Sequence, residues 1–226
     1  MEQHSVRISD DSLTFSSAHF ITYDNGECET IHGHDFCVSV DVAQPLSPAG
    51  GYVLDFLKMQ KTIRGILQKL DHKTLLAAEN PYYTVGVHEA ENLDFDPMQD
   101  YLSRVRDPES SRAVLEKMGD SGYDWEQHLS RELGMTPIPE QGFSADVPTM
   151  APIEVEVEVR YRHRRWILPQ TDCEILPITN TSAEILAEYI ARQLMKSPLL
   201  SDGKWLKIRV ELREARGMAG IFEIVK

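Results

Sequence analysis

The chain has 226 residues, 42% of them hydrophobic, and carries 36 acidic against 23 basic residues for a formal charge of −13. That length predicts one domain with room for a real core, while so negative a balance excludes a general binder of nucleic acid or anionic membrane, which needs cations to displace counterions. No stretch reaches the ~20 apolar residues of a membrane span, the N-terminus has no apolar signal core, and Cys28, Cys37 and Cys173 are too few for a disulfide framework, so a reducing, cytoplasmic setting is expected.

Residues 13–20 read as a first strand. Phe36, Val38, Val40 and Val42 then alternate with Cys37, Ser39 and Asp41, the period-two signature of a half-buried strand with Cys37 on its other face. Gly50-Gly51 marks a turn, and Asp55 is placed to cap a helix over 56–70. Phe56, Met59, Ile63, Ile66 and Leu70, spaced by three and four, form its expected buried face. Residues 79–150 interrupt this order. They hold 15 acids against 5 bases, ten of the thirteen net negative charges, and turn signals such as Asn80-Pro81, Asp96-Pro97 and Asp107-Pro108. Short helices are expected at 112–118 and 125–133. The segment reads as a partly helical insertion at about 79–150 in a single domain spanning 1–226.

After it, Ile153, Val155, Val157, Val159 and Tyr161 alternate with charged residues in another strand. Cys173 falls in what reads as a polar loop. Thr181 and Glu184 have the spacing of a capping box ahead of a helix carrying Ile185, Leu186, Tyr189, Ile190 and Leu194. Leu206, Ile208, Val210 and Leu212 alternate with Lys207, Arg209, Glu211 and Arg213, and residues 221–225 form a last strand. The order ββα, insertion, βαββ predicts an α+β fold, an antiparallel four-stranded sheet with two helices on one face.

The chemistry gathers on the first hairpin. His32 and His34, two apart in an extended segment, point to one face, and a hairpin brings His19 beside them. Three neutral imidazoles from two strands hold Zn²⁺ with an open fourth position; a scatter of polar residues near a turn has the same spacing. Cys28, four residues before His32, is either a reactive thiolate near a dication or a fourth ligand that closes a structural site. Asp71-His72 ends the first helix. It reads either as a cation at the negative end of the helix dipole or as an acid/base pair with its proton position set by the acid. Arg160, Arg162, Arg164 and Arg165 form a solvated strand face or a neighbour for phosphates. His88 and His128 read as surface histidines.

Several segments together resemble one family. C-E-T-I-H-G-H at 28–34, preceded by F-S-S-A-H at 15–19, is similar to the 6-pyruvoyltetrahydropterin synthase / 6-carboxytetrahydropterin synthase family. So are Y-V-L-D-F at 52–56, L-D-H at 70–72, N-T-S-A-E-I-L-A at 180–187 and V-E-L-R-E-A at 210–215, with Phe222 eight residues beyond Glu214. The spacing of Cys28 before H-G-H resembles the 6-carboxytetrahydropterin synthase branch of the queuosine (7-deazaguanine) pathway. The resemblance implies the tunnelling fold (T-fold), with His19, His32 and His34 as zinc ligands, Cys28 as catalytic thiol and Asp71 with His72 as its relay. It implies Glu214 as pterin anchor, with Ser182 and Glu184 as further pterin contacts. It also implies a homo-oligomer, trimers that close a barrel and pair into hexamers with active sites between subunits, and a small-molecule pterin as partner, with no nucleic acid or membrane. The implied activity is a zinc-dependent lyase converting 7,8-dihydroneopterin triphosphate to 6-carboxytetrahydropterin, acetaldehyde and triphosphate. The alternatives are 6-pyruvoyltetrahydropterin synthase chemistry, without carbon–carbon cleavage, and a non-catalytic pterin-binding protein. Departures from the pattern are the long span from Asp71 to Glu184, Asn180-Thr181-Ser182 in place of Pro-Thr, Ile185 in place of Asn and Ala215 in place of Thr.

Overall fold

The structure, a computed structural model, describes residues 3–89 and 155–226. Strands β1 (Ser5–His19) and β2 (His32–Ala43) pair antiparallel from Ser5↔Ala43 to His19↔His32, with a register shift between Ser9 and Thr14. Their inward positions, among them Leu13 and Phe15 on β1 and Phe36, Val38, Val40 and Val42 on β2, are buried as the alternation requires. Asp55 caps α1 (Phe56–Leu67), its carboxylate accepting from the backbone N–H groups of Leu57 and Lys58. The helix stops three residues short of the expected end, and Leu70 is buried from the turn that follows. Phe56 is a correction. It lies in the first turn and is 58% exposed, so the buried stripe is Met59, Ile63 and Leu67.

The expected four antiparallel strands belong to a larger sheet. Among them β8 (Lys207–Ala215) pairs with β2 and β9 (Met218–Val225) pairs with β8. Two short strands, β3 (Lys73–Ala77) and β7 (Cys173–Leu176), extend the sheet on the other side, giving the order β7-β3-β1-β2-β8-β9. Both added pairings are parallel; for β3 beside β1, the crossover through α1 carries the chain back across the sheet. The sheet is therefore six-stranded and mixed. Cys173, expected in a polar loop, is the buried first residue of β7. Such strands are too short for an alternation to register in the sequence.

A second, three-stranded antiparallel sheet has the order β4 (Thr84–Glu89), β5 (Val155–Tyr161), β6 (Arg164–Pro169). Val157, Val159 and Tyr161 face the common core, with Trp166 and Leu168 packed against it. On the other face Glu158 is gripped by Arg160 and Arg165, and His88 stands on β4 with Nε2 3.4 Å from the same carboxylate. The helices expected at 112–118 and 125–133, and His128, lie outside the described residues. No described helix is long and apolar enough to cross a membrane.

Helix α2 (Ala183–Lys196) packs against β8, β9 and α1, so both helices cover one face of the sheet. Its capping box does not form. Ser182 is the N-cap and makes no side-chain cap bond; Thr181 is fully buried and donates its hydroxyl to the Phe20 carbonyl at 2.8 Å instead. A buried hydroxyl must find a partner, and the end of β1 lies closer than the helix. Strand β9 touches the start of α2 backbone to backbone at Gly220, where a Cβ would lie 2.3 Å from Ala183 C and Glu184 N. Gly220→Ala is expected to cost at least about 1–3 kcal/mol by overpacking and to lower Tm by roughly 2–12 °C. A scanning-calorimetry Tm equal to wild type would show that the contact yields freely.

Candidate functional site

The inward alternation that builds the core also builds the site. His19 ends the inward row of β1 after Leu13, Phe15 and Ser17, and His32 and His34 precede Phe36 on β2. Glu214 follows Leu212 on β8. Because β1, β2 and β8 are neighbours in the sheet, four donors arrive at one end of its covered face. His19 and His32 are direct cross-strand partners. The three imidazole centroids lie 4.7, 5.3 and 5.0 Å apart. One ligand atom from each of His19, His32, His34 and Glu214 lies within 4.8 Å of all the others.

The proton positions are set by backbone carbonyls. His19 Nδ1 lies 2.9 Å from the Thr181 carbonyl, and His32 Nδ1 lies 2.9 Å from that of Thr30. A carbonyl only accepts, so each Nδ1 carries the hydrogen and each Nε2 keeps its lone pair free. His19 is 1% exposed, and burial pushes its pKa down, which keeps the ring neutral. Its Nε2 is a buried atom without a hydrogen-bond partner. Glu214 Oε1 lies 3.1 Å away, but a carboxylate oxygen, like this bare Nε2, can only accept; the same oxygen is 3.2 Å from His34 Nε2. An orphaned, neutral, buried imidazole nitrogen is costly unless something binds its lone pair. Three imidazoles and a carboxylate are the donor set that borderline divalent cations take, so these residues fit a metal ion.

The other site residues lie around this cluster. Asp71 Oδ2 is 3.0 Å from His72 Nδ1, and Asp71 Oδ1 accepts from the Ser16 N–H at 2.8 Å. That Ser16 bond first, and His72 second, hold the Asp71 carboxyl below the ordinary range. His72 takes a left-handed backbone with φ 57°, and its imidazole is 82% exposed. It lines a cavity of about 480 Å³ with Ser16, Gly33, His34 and Asp35. Cys28 lines another cavity, of about 300 Å³, with Tyr161 and Arg164. Its Sγ donates to the Glu29 carbonyl at 3.4 Å, and burial pushes the thiol up while Arg164 opposes that shift. One chain therefore brings His19, His32, His34 and Glu214 together, and forms the Asp71-His72 pair, but puts Cys28 and His72 on different cavities. Ser182 is half-buried and Glu184 exposed at the start of α2, where the failed capping box leaves both side chains free of helix duties.

Sequence reasoning missed the nearness of Glu214 to the histidines, because the β2–β8 register joins residues far apart in the chain. It also missed Thr181 as the partner of His19, since the position reads as a helix cap. His88 stays apart from the cluster, against Glu158.

The family model for 6-pyruvoyl tetrahydropterin synthase matches residues 8–113, which include all three histidines, Cys28, Asp71 and His72. Over those residues the chain is similar to that family. It is 39% identical over 62 residues to a protein of Pyrococcus furiosus named dihydroneopterin monophosphate aldolase, covering 27% of this chain and 51% of that one. It is 37% identical over 73 residues to a protein of Methanocaldococcus jannaschii named provisionally as a 6-carboxy-5,6,7,8-tetrahydropterin synthase, covering 31% and 44%. The matches thus span about half the length of these relatives. Among solved structures, the 6-pyruvoyl tetrahydropterin synthase of Plasmodium falciparum is similar over 100% of both chains with a TM-score of 0.64 at 20% identity. That of Plasmodium vivax gives the same coverage and TM-score at 17% identity. These two establish the fold.

The donor set predicts a metal content of one divalent ion per chain. His32→Ala is expected to lose nearly all of it, and Cys28→Ala to keep it, in elemental analysis of the purified proteins. Metal that persists in His32→Ala and disappears in Cys28→Ala would mean a structural, thiolate-ligated site.

Proposed function

We propose that this chain is a zinc-dependent lyase of the 6-carboxytetrahydropterin synthase type, acting on 7,8-dihydroneopterin triphosphate in the queuosine (7-deazaguanine) branch of pterin chemistry. The observation that carries the reading is the three-imidazole cluster with its orphaned buried Nε2, set in a pterin-synthase fold. His19, His32 and His34 hold the metal. When bound, zinc supplies Lewis acidity to the oxygens of the substrate side chain. Cys28 takes a proton from that side chain. His72, oriented by Asp71, returns one. Loss of triphosphate, uptake of one water and cleavage of a carbon–carbon bond leave 6-carboxytetrahydropterin and acetaldehyde.

Glu214 serves the pterin ring, whose amino and ring N–H donors match the two oxygens of a carboxylate. Its position against His19 and His34 puts that anchor beside the metal, and its exposure of 28% leaves it open to a ligand. Ser182 and Glu184 complete the pterin contacts from the start of α2.

The separation of Cys28 and His72 within one chain supports an active site completed by a second copy. Among the described residues strand β9 is an edge of the large sheet, and its Met218, Ile221 and Val225 are exposed, a surface suited to strand pairing between subunits. A trimer-based homo-oligomer is therefore expected in sedimentation or light scattering. A monomeric protein that turns over substrate would refute the shared site.

A second reading is favoured by the relative named dihydroneopterin monophosphate aldolase: cleavage of the same side chain from a monophosphate. Product analysis separates the readings. Acetaldehyde and triphosphate from the triphosphate substrate support the synthase proposed here, and triphosphate without acetaldehyde indicates the 6-pyruvoyl product. Glycolaldehyde phosphate from the monophosphate indicates the aldolase, and binding without any product indicates a non-catalytic protein. In the active case Cys28→Ala is expected to lose on the order of 10²–10⁴ in kcat, the range of a lost acid/base group, with its metal retained. Glu214→Ala is expected to weaken pterin binding by about 1–3 kcal/mol, measured by titration calorimetry.

A further inference from the structure

The turn between β5 and β6 closes over the loop that carries Cys28. Arg164 Nη1 lies 3.2 Å from the Cys28 carbonyl and 3.2 Å from the Glu29 carbonyl. The Tyr161 hydroxyl donates to the Gly26 carbonyl, and Tyr82, just before β4, donates to the Asp24 carbonyl at 2.9 Å. The Arg164 guanidinium also lies 5.9 Å above the Tyr161 ring. Three side chains of the small sheet and its approach thus hold the backbone of one loop from Asp24 to Glu29. The Glu29 carbonyl that Arg164 grips is also the acceptor for the Cys28 thiol.

We propose that Arg164 is a positioning residue for Cys28, its guanidinium bridging the Cys28 and Glu29 carbonyls so that the thiol is held in place and its ionisation favoured. The bridge fixes the carbonyl on which the thiol proton rests. Once that proton leaves, the guanidinium is the nearby positive charge that favours the thiolate. Its work is opposed by desolvation and by Glu29, both of which raise the thiol. The other titratable groups facing Cys28 are Tyr23 and Glu27 from its own loop, Tyr161, Arg162 and His163 from the turn, and Tyr83, itself pushed up to about 12 by burial. Arg162 is held in a left-handed conformation with φ 51°, and its guanidinium lies over the Tyr161 ring at 5.2 Å. Of these described side chains, Arg164 is the one that hydrogen-bonds the Cys28 carbonyl. The inference rests on the reading of Cys28 as the reactive thiol, but its test needs no substrate.

The test is the rate of Cys28 alkylation by iodoacetamide as a function of pH, followed by peptide mass spectrometry in the full-length wild type, Arg164→Met and Arg164→Lys, with Cys37 as internal reference. Arg164→Met is expected to move the half-rate pH of Cys28 upward by about one unit, a tenfold fall in thiolate below it, with Cys37 unchanged. Arg164→Lys, which keeps the charge but loses the planar fork, is expected to fall between. It carries the test if the methionine variant does not fold. An unshifted half-rate pH in both Arg164 variants would overturn the proposal. If the midpoint shifts but the wild type makes no pterin product, the proposed reaction fails and the positioning role stands. If the wild type is active and the midpoint is unmoved, only the positioning role fails.

Discussion

One hydrogen bond, from His19 Nδ1 to the Thr181 carbonyl, joins the last residue of β1 to the approach of α2 and decides which nitrogen of a buried imidazole faces its neighbours. It does not act alone. Thr181 returns a bond from its hydroxyl to Phe20, and Asn180 spans the same junction, donating to the Thr22 carbonyl at 2.8 Å and accepting from the N–H groups of Thr22 and Thr181. Asn80 ties in from a third segment, donating to the Thr22 hydroxyl and the Thr179 carbonyl at 2.8 Å each. Networks of this kind, fully satisfied in a dry setting, specify one arrangement. Gly220 lets β9 press against the first turn of α2, so the helix start that holds His19 is itself fixed from the far edge of the sheet. The histidine cluster is thereby positioned by core packing.

Much of this was legible in the sequence, and the reason is the strand period. The alternations at 36–42 and 208–212 identify the inward faces of β2 and β8, while Leu206, read into the same pattern, lies before β8 and is exposed; they place His32 and His34 with Phe36 on one side. The same alternation carries Glu214 onto the inward face, yet the sequence does not say that β8 lies next to β2. That neighbourhood is tertiary, and with it went the closeness of Glu214 to the imidazoles. Thr181 shows the opposite failure. Its spacing to Glu184 satisfies a local pattern, but its fully buried hydroxyl donates to the Phe20 carbonyl, just past the end of β1. The strands β3 and β7 escaped notice for want of length, and Phe56 was misplaced because periodicity is blind to where a helix first meets the sheet.

The small sheet sorts the four arginines that looked alike in the sequence. Arg160 and Arg165 are spent on Glu158, whose carboxyl they bring down to about 2 through hydrogen bonds led by Arg160. The contacts that cover this carboxylate are exposed side chains, so the group is shielded by its own partners and remains near water. Arg162 and Arg164, beyond Tyr161, are left to the turn. A tight reversal that forces a non-glycine residue to positive φ is a conformation that the surrounding structure must hold, and here that reversal faces the Cys28 loop.

The register Glu89↔Val155 brings the two ends of the intervening chain side by side on adjacent antiparallel strands. Loop-closure entropy grows only logarithmically with length, about 0.6 kcal/mol for each doubling of a flexible connection. Once β4 and β5 have paired, the cost of joining them is set mainly by that first closure, and the length of what lies between adds little. The small sheet thus has an entry point at which sequence can lengthen or shorten over evolutionary time with small change in stability, while the histidine rows on β1 and β2 keep their register.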